Sequence, residues 1–269
     1  MIAHQTNKSL FASASFYKNA LCIAVPIMLQ QLIQSLVTLV DNFMVSGLGD
    51  ISMSGVNVAG QILFIFMVFS NTICMAGGIF MTQFYGAKDE NGMQQAFRFK
   101  LIVGLLAAIP YFLVCIVFPR PILSLMLINN TQASLILDEG VKYIRIMFFM
   151  GIPMTISLCI ASSMRDLGRV KAPLIVTIIA TLTNTFFNWL LIYGNLGFPK
   201  LGVEGAAYAS VIARCVEFIV FLILYIKTKP EFAIDQSLPI NNLILYSEFV
   251  NIWFNDSELN KIVLTDSYG

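Results

Sequence analysis

Asp41 is the residue whose position demands a chemical explanation. It is the one acid in an otherwise uncharged 31-residue stretch from Asn19 to Gly49, long enough to cross a bilayer. A carboxylate in hydrocarbon costs at least ~2.5 kcal/mol on the mildest insertion scale, so an intramembrane acid is by default a functional residue. It must be protonated, its charge being disfavoured by burial, or it must hold a cation. Exchange between those two states is the chemistry of cation coupling.

Polar residues on neighbouring segments fall on stripes when read at helical spacing. Gln30, Gln34, Thr38 and Asp41 share one face of the first apolar segment, Thr177, Thr181, Asn184 and Asn188 one face of the fifth, and Ser210, Arg214 and Glu217 one face of the sixth. Together they predict a polar interior. Neutral side chains of this kind also serve as interhelical glue, but Asn184 and Asn188 alone do not balance a carboxylate. Arg214 and Glu217 are expected to neutralise each other.

The elements that position these residues follow from composition. Apolar residues make up 58% of the chain and charged residues 12%, about half the roughly 25% charge of a soluble domain. Six segments, approximately 21-45, 54-84, 99-119, 142-164, 172-194 and 206-227, meet the ~20 residues a spanning helix needs. They lack the alternation of barrel strands, so the chain is read as an all-α integral membrane protein, a six-transmembrane-helix bundle. Residues 1-19 form a polar cytoplasmic leader, 20-229 the bundle, and 230-269 a cytoplasmic tail whose apolar run 240-254 is too short and too polar for a seventh span. The leader and the long first apolar run argue against a cleaved signal peptide.

Ten Lys and Arg residues fall on the segments that are cytoplasmic if the N-terminus is inside, among them Lys88, Arg98, Lys100, Arg165, Arg169 and Lys171. The opposite loops hold Arg120 and Lys200, with Lys142 and Arg145 added if the fourth helix begins late. The cell membrane, multi-pass with the N-terminus cytoplasmic, is the predicted location. Pro26, Pro110 and Pro153 should kink the first, third and fourth helices; Pro26 is the candidate hinge. The five cysteines are scattered without a CxxC pair and read as packing residues, and the single histidine, His4, excludes histidine metal clusters and a Ser-His-Asp triad. No cluster of acids and nucleophiles sits at one depth, so no enzyme is expected. No cofactor and no nucleic-acid partner are expected either.

Four local patterns resemble the multidrug and toxic compound extrusion (MATE) family across roughly residues 15-230. The first is Pro26 followed by Val40-Asp41-Asn42-Phe43-Met44-Val45 and Gly47-Leu48-Gly49. The second is Gln83-Phe84-Tyr85-Gly86-Ala87-Lys88-Asp89, and the third runs from Met164 to Pro173. The fourth is Asn184 to Gly194, then Leu201-Gly202-Val203-Glu204-Gly205-Ala206-Ala207-Tyr208-Ala209-Ser210. The resemblance implies twelve helices in two six-helix lobes related by a pseudo-two-fold axis, of which this chain is the N-terminal lobe. It implies export of cationic or amphipathic drugs in exchange for Na⁺ or H⁺.

Carried over by position, the family's N-lobe cation site falls on Asp41, Asn184, Asn188 and Ser210, with Asp41, Asn184 and Asn188 the candidate Na⁺ ligands. Gln34, Thr38 and Thr181 would face cargo. Asn188 departs from those members that carry a second acid there, which leaves a less charged site. The absent second lobe admits a truncated or frame-shifted, inactive fragment with at most an assembly role, or pairing with a second lobe or with another copy. A separate alternative is a lipid-linked saccharide flippase of the same superfold. Several cations lining the cavity would favour the flippase.

Overall fold

In a computed structural model, residues 14–127 and 132–233 are described. The expected leader up to residue 13 and the tail from residue 234 lie outside them. The helices are α1 (Ala14–Ser46), α2 (Asp50–Ala87), α3 (Glu90–Ile116), α4 (Pro119–Met126), α5 (Ala133–Met147), α6 (Gly151–Asp166), α7 (Lys171–Tyr193) and α8 (Val203–Thr228), with no strand among the described residues. Six spans are long and apolar enough to cross a membrane: Ala20–Ser46, Asp50–Ala87, Glu90–Ile116, Ala133–Asp166, Lys171–Tyr193 and Val203–Thr228. The all-α, six-span reading therefore holds.

Two boundaries shift by nine residues. The third helix begins at Glu90, not 99, because Asp89 caps it by accepting from the Gly92 amide at 3.0 Å, and Glu90 sits in the favourable first turn. This early start carries Lys100 into the bundle. Lys100 is fully buried, so counting it among the loop charges was incorrect. The fourth span begins at Ala133, not 142, which places Lys142 and Arg145 inside the helix. The short α4 was not anticipated.

The expected kink in the fourth span is present as a change of helix type. α5 ends at Met147, a 3₁₀ turn covers Phe148–Met150, and α6 begins at Gly151. Pro153 explains the break: it removes one donor and its ring displaces the carbonyl four residues back, while in the first turn of α6 its missing N–H costs nothing. The Tyr111 hydroxyl donates to the Met147 carbonyl at 2.7 Å at this junction. A Cβ on Gly151 would lie 2.4 Å from Phe112. α1 and α3 remain helical through Pro26 and Pro110.

Close backbone approach organises the packing. A Cβ on Gly55 of α2 would come within 2.9 Å of the Gly140 amide of α5, so small residues set this contact, as is usual between membrane helices. Two apolar clusters fill the bundle. One centres on Phe66 stacked on Tyr111 (4.4 Å) with Ile144, Met147 and Met154. The other gathers Met81, Met93, Phe97 and Phe221 and takes in Phe232, which is fully buried against Phe97. Bundle packing thus continues past residue 229 to Phe232, helped by an Arg169–Glu231 ion pair of 2.6 Å.

Candidate cation site

Asp41 stands five residues before the last of α1, half-buried, and faces α7. α7 presents the stripe read from its sequence: Thr177, Asn184 and Asn188 are all buried, and Thr181 is half-buried. Asn188 Nδ2 donates to Asp41 Oδ1 at 2.6 Å and to Asn184 Oδ1 at 3.2 Å. Asn184 Nδ2 donates to Ser210 Oγ of α8 at 3.4 Å. About three turns away, Gln30 Nε2 donates to Thr177 Oγ1 at 2.8 Å, so the α1 and α7 stripes do face each other.

Nitrogen and oxygen of the Asn184 amide can be assigned either way; exchanged, the nitrogen donates to Asp41 Oδ1 at 2.8 Å and Oδ2 at 3.1 Å, so that the carboxylate has amide donors from both Asn184 and Asn188.

A cavity of about 250 Å³ opens at this point, lined among others by Thr38, Asp41, Asn188 and Ser210. Four further polar residues line it that the sequence reading did not assign to the site: Asn42 of α1, Asn57 and Gln61 of α2 and Tyr143 of α5. Asn57 and Gln61 are four apart, the same signal that revealed the other stripes. Tyr143 carried no such signal. Neither Gln34 nor Thr181 belongs to the lining, and the Thr38 hydroxyl is engaged by the Gln34 carbonyl at 3.0 Å. Arg214 pairs with Glu217 on α8, as the spacing predicted.

The donor set discriminates between metals. Among the described residues no three His, Cys, Asp or Glu side chains converge as ligands, so a transition-metal site finds no support. A hard monovalent cation takes carboxylate, carbonyl and hydroxyl oxygens. Asn188 Oδ1 is buried without a hydrogen-bond partner, an orphaned oxygen beside Asp41. Such an atom carries a desolvation cost unless a ligand satisfies it. The residues present therefore fit Na⁺.

A second polar centre lies elsewhere in the bundle. Lys100 of α3 pairs with Asp166 of α6 at 2.5 Å and donates to Ser162 and Ser163 at 3.3 and 3.2 Å. Gly77 and Gly78 of α2 leave room for it, since a Cβ at Gly77 would meet Lys100 at 2.5 Å and one at Gly78 would meet Asp166 at 3.0 Å. It satisfies its own charges and serves to lock three helices.

These features define a multi-pass α-helical membrane protein with a buried acid-and-amide cavity. The family model for MatE matches residues 26–190, and the chain belongs to that family. It is 28% identical over 225 residues to the probable multidrug resistance protein YoeA of Bacillus subtilis (strain 168), covering 83% of this chain and 48% of the relative. It is 25% identical over 217 residues to the multidrug resistance protein NorM of Vibrio cholerae serotype O1, covering 80% and 46%. The fold matches a solved multidrug resistance MATE family transporter of the MOP superfamily in an outward-facing conformation, with TM-score 0.72, 18% identity and coverage of 87% and 49%. It also matches a MATE in the bent conformation, with TM-score 0.73, 20% identity and coverage of 84% and 50%. The chain spans about half the length of the curated relatives it matches.

Proposed function

We propose that this chain is the N-terminal lobe of a secondary multidrug exporter that moves cationic or amphipathic compounds against Na⁺ or H⁺, with Asp41 as the coupling group. The carrying observation is the Asp41–Asn188 bond beside the unpartnered Asn188 Oδ1. Bare, Asp41 takes the amide hydrogens of Asn188 and Asn184 and offers one negative charge to a cationic cargo. When a proton or Na⁺ neutralises it, Asn188 Oδ1 gains a partner and the cargo loses its counter-charge. A cation that binds the two arrangements differently shifts their populations, which is what coupling requires. Pro26, lower on α1, is the hinge through which repacking at Asp41 reaches the rest of that helix.

Family membership and the named multidrug resistance relatives support the drug-export reading. The flippase alternative is disfavoured because no Lys or Arg lines the cavity among the described residues. The basic residues of the α2–α3 and α6–α7 connections support a cytoplasmic N-terminus.

The test is ethidium efflux from cells lacking their own pumps, comparing the chain with Asp41→Ala in the presence and absence of Na⁺, with and without a co-expressed second lobe. Efflux that requires Asp41 supports the proposal, and its Na⁺ dependence names the ion. Equal accumulation in all arms, with both proteins in the membrane, overturns it.

A further inference from the structure

A cleft of about 540 Å³ opens between α4, α5 and α8, lined among others by Arg120, Asp138, Lys142, Arg145, Glu204 and Tyr208. It lies at the end of the bundle opposite the Lys100–Asp166 centre. Basic residues at that end run against the charge bias of the rest of the chain, and so need a reason.

Two of the three cations are committed. Arg120 donates to Asp138 at 2.6 Å and Lys142 to Glu139 at 2.8 Å. Arg145 is exposed, and among the described residues no acid pairs with it. Its span, Ala133–Asp166, has 34 residues, more than the ~20 that cross hydrocarbon, and Arg145 stands 21 residues before the Asp166 end, which puts its guanidinium near the headgroup boundary if Asp166 marks the other. Tyr208, 42% exposed, lies beside it, at the depth where amphipathic aromatic rings collect. Below Arg145, at spacings of four and three, follow Phe149 and Ile152, 64% and 50% exposed. Among the described residues Arg145 is the cleft's cation without an ion pair and Glu204 its acid without one, and the apolar track running inward from Arg145 matches an amphiphile with an anionic head.

We propose that this cleft is a binding site for an anionic phospholipid. The Arg145 guanidinium forks onto the phosphate, a geometry to which it is suited. The Tyr208 hydroxyl donates to a second phosphate oxygen. An acyl chain lies along Phe149 and Ile152. The site is separate from the Asp41 cavity and does not depend on the exporter reading.

The test is native mass spectrometry of the purified 269-residue chain in a neutral detergent, offered phosphatidylglycerol, phosphatidylcholine or inorganic phosphate. The expected result is selective retention of phosphatidylglycerol, reduced at least ~5-fold in Arg145→Gln, partly kept in Arg145→Lys, and unchanged in the opposite-end control Lys171→Gln. Tyr208→Phe, which preserves packing, should weaken retention by a smaller factor. Equal retention of phosphatidylglycerol by wild type and Arg145→Gln overturns the proposal. So does equal retention of the two lipids, or binding of inorganic phosphate in their place, which would make the cleft an ion site.

Discussion

At the scale of single residues, Asn188 does the most that an acid at its position would not. As an amide it donates to Asp41 at 2.6 Å while keeping its own oxygen free. A hydrogen bond to a charged group contributes about 1.5–3 kcal/mol. Asn188→Ala removes a donor that stabilises the bare carboxylate and so favours the neutralised form, and with protons as the driving ion we predict a ~10-fold fall in the proton concentration giving half-maximal efflux. Asn188→Asp should act in the same direction, since a second carboxylate beside Asp41 favours binding of a cation. A measured half-saturation that does not move in either variant would remove Asn188 from the site.

At the scale of elements, two locks set the geometry around that residue. The first is the contact of α2 with α5, where Gly55 and Gly140 let the backbones touch. Gly55→Ala forces them apart, a form of overpacking that costs typically 1–3 kcal/mol. The variant should melt at lower temperature in detergent and, because Asn57 and Tyr143 flank this contact, should also weaken cation dependence. The second lock is Lys100 with Asp166. Removing one partner of a buried pair costs about 3–5 kcal/mol, whereas replacing both by neutral groups is far milder. Lys100→Met alone should therefore destabilise the bundle strongly, and the double variant Lys100→Met with Asp166→Asn should recover much of the loss in a thermal unfolding assay. Strict additivity of the two changes would rule out the lock.

At the scale of the whole molecule, α1 is the least covered span. Only 6% of its apolar window is buried, against 44% for α7. It carries Asp41 on one side and Leu32, Leu36, Leu39 and Phe43 exposed on the other. In a two-lobe exporter part of that surface meets the partner lobe. We predict that Leu36→Cys forms a disulfide-linked product with a suitably placed cysteine on a co-expressed second lobe, or with a second copy of this chain if copies pair. Orientation is tested separately: a membrane-impermeant thiol reagent applied to intact cells should label Arg120→Cys and not Lys171→Cys, and the reverse pattern would invert the topology.

How much of this was legible in the chain follows from what each signal depends on. Span number, the polar stripe of α7, the Arg214–Glu217 pair and the isolation of Asp41 were readable because hydropathy and the 3.6-residue period are local properties of consecutive residues. Helix starts at Glu90 and Ala133 were missed because hydropathy rises several residues inside the true ends, and the cap that marks Glu90 is a single polar side chain, Asp89. That Asn188 donates to Asp41 across 147 residues of chain, that Tyr143, Asn57 and Gln61 close the cavity, and that Lys100 is buried were decided only by the tertiary structure. Periodicity assigns a residue to a face of its helix, but not the rotation or depth at which that face meets another. Those are set by where small residues let backbones approach and where Pro153 converts a turn to 3₁₀, and they take effect only when the helices pack.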